Sequence, residues 1–425
     1  MRTIRTCSKC AGARSAATGI TSPPSSWRKS TSWCATGCRP CSATASRRRS
    51  RRAQRKRPER LQPEGHANLS RGLPPSASGA PKVTVLIPVH NRQRYVGAAV
   101  ESILAQSLED LELLVIDDGS TDASRGVVRG FADPRLRLVC NDANRGIPAT
   151  RNQGIALARG EYLAFLDSDD CALPQRLARQ VRFLEEHPDY AAVGAWVEWI
   201  NENGRPLGRI KRKAVSAEQI AAERLFRSCL ENSASTARTA ILRAYGHRER
   251  YALGSDYDLW ARIAAEHKLA TLPEVLVRRR THAGRSTHAK SERIKAIRLE
   301  IFAEQLTALG VSFSKTDLER HYLLRRMQKL DFTPDEAYLE WAGSWLQGLK
   351  KANEKARRYP EPVFSQILGE FWLKTCWHAS RRLGWDAWGR FWRSSLRSEA
   401  WPGLRRALSR HRFGIVGPAL DRPTG

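Results

Sequence analysis

Asp167-Ser168-Asp169-Asp170 crowds three carboxylates into four residues, directly after the apolar run Tyr162–Leu166. Like charges this close repel unless a cation or hydrogen bonds hold them. Mg²⁺ or Mn²⁺ is a hard ion that takes oxygen ligands, usually one or two carboxylates plus phosphate oxygens. The segment therefore suits a site for a divalent cation and a diphosphate. The plain alternative is that Asp169 or Asp170 favours the N-terminus of a helix after Pro174. Two other apolar runs also end in polar segments. Val83–Ile87 leads into Pro88-Val89-His90-Asn91, and Leu111–Ile116 leads into Asp117-Asp118-Gly119-Ser120-Thr121-Asp122. Three such ends together favour a shared site over separate caps. No G-x-G-x-x-G follows the first run and no G-x-x-x-x-G-K-[ST] occurs, which argues against a dinucleotide site and a P-loop.

The elements that must position these acids alternate. Val83–Ile87, Leu111–Ile116, Leu136–Cys140 and Tyr162–Leu166 read as strands buried on both faces, and Ala191–Ile200 as another. Between them, Tyr95–Leu104, Asp122–Phe131 (capped by Ser120 or Thr121) and Pro148–Ala158 read as helices. This alternation implies an α/β fold with mostly parallel strands, which bind ligands at their carboxyl ends. From about Ser291 the strand signal stops, and Ile297–Leu309, Leu318–Leu330, Pro334–Leu349 and Val363–Arg382 carry helical spacing. The expected organisation is a basic Ser/Arg-rich disordered segment over 1–80, a catalytic domain over 81–290 and a helical region over 291–425.

The chain has 425 residues, 41% of them hydrophobic, and a net charge of +29. Residues 1–80 hold 17 Lys and Arg against Glu59 and Glu64, about half of that excess. Arg47–Arg60 reads as a solvated tail; nucleic acid is not an expected partner, and an anionic membrane surface is a candidate one. Cys7, Cys10, Cys34, Cys38 and Cys41 have no fold around them to hold zinc. No run approaches the ~20 apolar residues of a bilayer span, and the N-terminus lacks a signal h-region. The expected location is cytoplasmic, with peripheral attachment to the inner face of the cell membrane as an option.

The ordered segments VTVLIPVHNR, LLVIDDGSTD, NRGIPATRNQGIALARGEYLAFLDSDD and GSDYDLWARIA resemble the motifs of family 2 glycosyltransferases, which have the GT-A fold. The match runs from about Pro81 to Thr287. The resemblance implies an inverting transferase that uses a nucleotide-diphospho-sugar donor, with UDP the expected nucleotide, and a saccharide or lipid-linked saccharide acceptor, with Mn²⁺ or Mg²⁺ as cofactor. Pro88, Val89 and Asn91 would line the nucleotide pocket, Asp117 or Asp118 would bind the base, and Arg151 and Asn152 would border that pocket. Asp167 and Asp169 match D-x-D, with Asp167 towards the ribose or donor sugar and Asp169 on the metal. Asp256 would be the catalytic base, with Asp258 the competing acid. The family often has Glu-Asp where this chain has Ser255-Asp256.

Arg278, Arg279, Arg280, His282 and Arg285 follow the strand-like Glu274–Val277. His282 resembles a histidine of the family's closing loop, next to the metal. Arg280 and His282 are candidates for the diphosphate, and an exposed basic loop is the alternative. Near the C-terminus, Trp385, Trp388 and Trp392 share one helical face among Arg381, Arg382, Arg390, Arg393 and Arg397. Such a face either packs onto the catalytic domain or lies in a membrane interface.

Overall fold

The computed structural model describes residues 79–282, 291–327, 330–402 and 405. The expected disorder of 1–80, the early cysteines, the Arg47–Arg60 run and Arg285 lie outside the described residues.

Nine strands form one sheet: β1 (Val83–Val89), β2 (Leu111–Asp118), β3 (Leu136–Asn141), β4 (Tyr162–Phe165), β5 (Cys171–Ala172), β6 (Tyr190–Ile200), β7 (Pro206–Lys211), β8 (Thr236–Arg238) and β9 (Lys268–Arg280). Their order is β3-β2-β1-β4-β8-β6-β9-β5, with β7 added to β6. β1 to β4 pair in parallel, as do β6 and β9, while β8 runs antiparallel between β4 and β6. The α/β, mostly parallel expectation holds.

The helices of this part are α1 (Val96–Leu104), α2 (Ser124–Arg129), α3 (Ile147–Leu157), α4 (Arg176–Glu186), α5 (Ala217–Glu223), α6 (Thr239–Tyr245) and α7 (Ser255–Glu266). Side chains alternate across a strand, so a run buried at every position needs cover on both faces. One apolar layer joins Val85, Ile87 and Val115 to α1 and α4, and a second joins Leu86, Leu114 and Ile116 to α3, α6 and α7. Helix α3 sits so close that a Cβ on Gly154 would fall 2.3 Å from the Leu86 side chain. Its start is shaped by Gly146, with φ 89°, and by Pro148 in the first turn, where proline loses no hydrogen bond.

Two local expectations change. Helix α2 is not capped by Ser120 or Thr121; Ser124 N instead donates to Asp122 Oδ1 at 2.9 Å. The strand expected at Glu274–Val277 is the end of the 13-residue β9, because its pairing with β6 continues through Arg280.

After residue 290 the described chain is helical: α8 (Ser291–Ala308), α9 (Lys315–Arg326), α10 (Glu336–Ala356), α11 (Val363–Leu383) and α12 (Trp385–Arg393). These helices share one apolar cluster with α5 and α7, in which Leu306, Leu346 and Phe371 meet Phe226 and Tyr257. Tyr257 Oη donates to the Arg224 carbonyl at 2.7 Å. Gln305 Nε2 of α8 donates to the same carbonyl at 3.2 Å, so the first turn of α7, which carries Asp256, shares an acceptor with the helical region.

Candidate active site

Parallel register aligns the ends of β2, β1 and β4. Asp117 lies opposite Val89, and Phe165 lies opposite Leu86, so Asp167 follows at the level of Pro88. With strands about 4.8 Å apart, the three polar segments share one rim of the sheet. Val89 is buried and Pro88 half-buried, and Asn91 takes a left-handed φ of 51° at the turn out of β1. Asn91 Oδ1 accepts from Thr121 N at 2.9 Å, which ties the β1 and β2 ends together.

The neighbours Asp117 and Asp118 do different work. Asp118 is spent on the chain itself. Its Oδ1 accepts from Asn141 Nδ2 and Arg145 N, and its Oδ2 from Gly146 N, each at 2.9 Å. It therefore shapes the loop that starts α3. Asp117 is 1% exposed; its Oδ1 takes Ser120 N at 3.0 Å and Arg125 Nε at 2.5 Å. Its Oδ2 is buried without a protein partner. A buried acceptor left open is costly unless something else fills it, and an N–H of a nucleobase is the right kind of donor.

Gly119, with φ 69°, makes this turn, and a Cβ there would stand 2.5 Å from the backbone of Ala143. Gly119→Ala should cost roughly 1–3 kcal/mol from overpacking, read as a lower melting temperature. An unchanged melting temperature would show that the turn tolerates the methyl group.

Carboxylate oxygens of Asp167, Asp169 and Asp170 all lie within 4.8 Å of one another. The site fits a divalent cation. The donors are hard oxygens, which suit Mg²⁺ or Mn²⁺, and His282 Nε2 stands 2.9 Å from Asp169 Oδ2. Asp170 is fully buried, and its Oδ1 accepts from Arg280 N at 2.9 Å. Helix α4 begins after Gln175, so neither Asp169 nor Asp170 caps it.

Around these acids the chain supplies cations. Arg151 Nη2 donates to Asp167 Oδ1 at 2.9 Å. Arg176, fully buried behind β4, donates to the carbonyls of Phe165 and Ser235. Burial pushes its guanidinium down to about 9, against the pull of Asp170 and Asp167.

Arg280 differs from the expectation of a phosphate contact. It is 6% exposed, and its guanidinium donates to the carbonyls of Asp169, Asn201 and Glu202. It braces the acid loop. Its guanidinium also lies over the Tyr95 ring, which stands beside the His282 imidazole at 4.8 Å between centroids. Asn152 likewise turns to protein: it donates to the His247 carbonyl and accepts from His247 N, holding the loop ahead of α7.

Asp256 sits in the first turn of α7, partly exposed, after Gly254 with φ 80°. Asp258 is 2% exposed and ion-paired to Arg248 at 3.2 Å and Arg262 at 2.9 Å. Of the two, Asp256 is the one that faces open space. Burial would lower the Arg279 guanidinium, but Glu231, Asp170, Asp167 and Asp256 together hold it above its ordinary value. The acid loop and the start of α7 thus act on one cation. Sequence reasoning gave no separate role to Arg279, Arg125, Arg176 or Tyr95, because each has meaning only through partners distant along the chain.

A mostly parallel α/β sheet with Asn91, Asp117 and the Asp167–Asp170 carboxylates along one rim is the frame of a glycosyltransferase with the GT-A fold. The family model "Glycosyl transferase family 2" matches residues 84–242. EpsE of Bacillus subtilis, named as a glycosyltransferase, is 33% identical over 193 residues, which cover 44% of this chain and 69% of that one. An uncharacterized glycosyltransferase of Haemophilus influenzae is 29% identical over 251 residues, 54% of this chain and 76% of its own. The chain belongs to glycosyltransferase family 2. A shorter match, 32% over 147 residues (35% of this chain, 56% of the other), is to the Escherichia coli UDP-Glc:alpha-D-GlcNAc-diphosphoundecaprenol beta-1,3-glucosyltransferase WfgD.

Proposed function

We propose that this transferase inverts the anomeric centre while moving a sugar from a UDP-sugar to a hydroxyl of a saccharide acceptor, free or lipid-linked, in polysaccharide or glycoconjugate assembly. The observation that carries the reading is the carboxylate cage of Asp167, Asp169 and Asp170, within 4.8 Å, on the rim that also holds the unfilled oxygen of Asp117. Support for the donor and for a lipid-linked acceptor comes from the UDP-Glc donor and diphosphoundecaprenol-linked acceptor in the name of the Escherichia coli relative. A lipid-linked acceptor would bring the enzyme to an anionic membrane face on the cytoplasmic side. No described helix is long and apolar enough to cross a membrane.

In this reading Pro88, Val89 and Asn91 line the nucleotide pocket and Asp117 accepts a hydrogen bond from the base. Asp118 and Asn152 hold the walls. Arg151 fixes Asp167 beside the ribose or donor sugar. Asp169, with His282 against it, holds Mn²⁺ or Mg²⁺, which when bound offsets charge on the departing diphosphate. Arg280 acts through Asp169 and Asp170 by holding their loop. Asp256 takes the proton of the attacking hydroxyl, and in-line attack then needs no enzyme nucleophile.

UDP with Mn²⁺ should raise the melting temperature of the full chain by a few degrees. At a ligand concentration of about 100 Kd the gain is about 2.7 kcal/mol. No rise with any nucleoside diphosphate at millimolar concentration, with or without metal, would sink the reading.

A further inference from the structure

The tryptophans near the C-terminus divide into two sets. Trp372 and the neighbouring Phe371 and Phe391 are buried in the helical layer. Trp377, Trp385 and Trp392 are 59%, 86% and 51% exposed. The exposed set is tied together through half-buried Trp388 and the buried Phe391 ring. Trp377 meets Trp388 edge-on at 6.0 Å, Trp388 meets Phe391 at 5.9 Å, and Phe391 meets Trp392 at 5.4 Å. Trp385 shares the helix face of Trp388 and Trp392, at spacings of three and seven residues. Soluble proteins seldom leave such aromatic area in water without a use.

Four exposed arginines flank this surface. Arg381 and Arg382 on α11 and Arg393 and Arg397 beyond the ring cluster are all exposed. Among the described residues none of the four forms an ion pair with a carboxylate. Arg393 and Arg397 reach only the carbonyls of Gly389 and Trp392. Arg390, by contrast, is turned to Asp386 and Glu336 and belongs to the folded side of α12.

We infer that the face formed by Trp377, Trp385, Trp392, Arg381, Arg382 and Arg393 is a docking surface for an anionic lipid bilayer. Indole rings settle at the headgroup level, where their flat apolar area leaves water and the N–H stays wet. Arginines beside them gain from the negative potential of acidic headgroups. A short amphipathic helix with this composition lies in the interface plane and does not span it. The charge complementarity selects an acidic membrane over a neutral one. The inference names the partner surface for the lipid-linked acceptor proposed above and rests on that reading for its purpose.

Co-sedimentation of the full chain with vesicles tests it, comparing pure phosphatidylcholine with phosphatidylcholine containing phosphatidylglycerol. The expected result is binding to the acidic vesicles only, weakened by added salt. Trp385→Ser with Trp392→Ser should lower that binding at least tenfold, and so should Arg381→Glu with Arg382→Glu. The Mn²⁺-dependent UDP thermal shift should stay unchanged in both variants, since the altered side chains are exposed and outside the site. Acidic-vesicle binding that all four substitutions leave intact would overturn the inference and move the binding to another basic segment. Self-association without vesicles, lost in the same variants and with no lipid binding, would overturn it in favour of a second copy of the chain. A missing UDP shift in the unaltered chain would strike at the transferase reading instead, so the two failures are separable.

Discussion

Asp256→Asn is expected to bind UDP and Mn²⁺ as the unaltered enzyme does and to lose turnover by about 10²–10⁴-fold, the usual worth of a positioned general base. The amide has the same shape but cannot take a proton. Binding is expected to survive because Asp256 makes no hydrogen bond that the fold depends on among the described residues, and because the proposed nucleotide pocket is at the ends of β1 and β2. A loss confined to kcat, with UDP affinity intact, marks an interaction made only in the transition state.

The control is its neighbour two residues on. Asp258 is enclosed by Arg248 and Arg262, so Asp258→Ala leaves two guanidiniums facing each other. Breaking a fully buried pair costs about 3–5 kcal/mol. Both arginines here are partly exposed, which brings the expected loss down to about 2 kcal/mol. Thus Asp258→Ala should show in the melting temperature and Asp256→Asn in turnover. If Asp256→Asn turned over normally, the base would have to be sought elsewhere. Ser255, where the family often has Glu, is buried and supplies no carboxylate.

Asp169→Ala is expected to abolish the dependence of UDP binding on Mn²⁺, with at least a tenfold loss of affinity at saturating metal, or about 1.4 kcal/mol. The reasoning is geometric. Asp169 is one of three carboxylates that a single ion can bridge, and it alone has the His282 imidazole against it. Asp170 shows no such freedom, since Arg280 N holds its Oδ1. Removing Asp169 takes out a hard oxygen donor and releases His282, whose ring otherwise stays between Tyr95 and the carboxylate. Chelation by EDTA should copy the substitution in the unaltered enzyme and change nothing further in the variant. Equal UDP affinity with and without Mn²⁺ in the unaltered enzyme would show that the acids serve a purpose other than metal binding.

Much of this was legible along the chain. Val83–Val89, Leu111–Asp118 and Tyr162–Phe165 announce themselves because a strand buried on both faces must be apolar at every position, a requirement met within a few residues. The acids at their ends stand out for the converse reason: they are the polar residues that such runs have no structural need for. The type of sheet, the rim that gathers Asn91, Asp117, Asp167 and Asp169, and the oxygen-rich donor set for a hard cation all follow from this local pattern. So does the helical region beyond Ser291, whose spacing is again a local property.

What only the tertiary structure decided is which of two similar neighbours is taken up by contacts that hold the fold. Asp117 and Asp118, Asp256 and Asp258, and Arg279 and Arg280 are chemically alike in pairs. A step of one residue turns a side chain to the other face of a strand, and a step of two turns it most of the way round a helix. The outcome then rests on partners far away in sequence. Asn141, Arg145 and Gly146 claim Asp118, Arg248 and Arg262 claim Asp258, and the carbonyls of Asn201 and Glu202 claim Arg280. The same holds for the tryptophans, since one amphipathic pattern serves both a buried seam and an exposed face. Whether a side chain is enclosed depends on what the rest of the chain brings against it, and spacing along one helix carries no record of that.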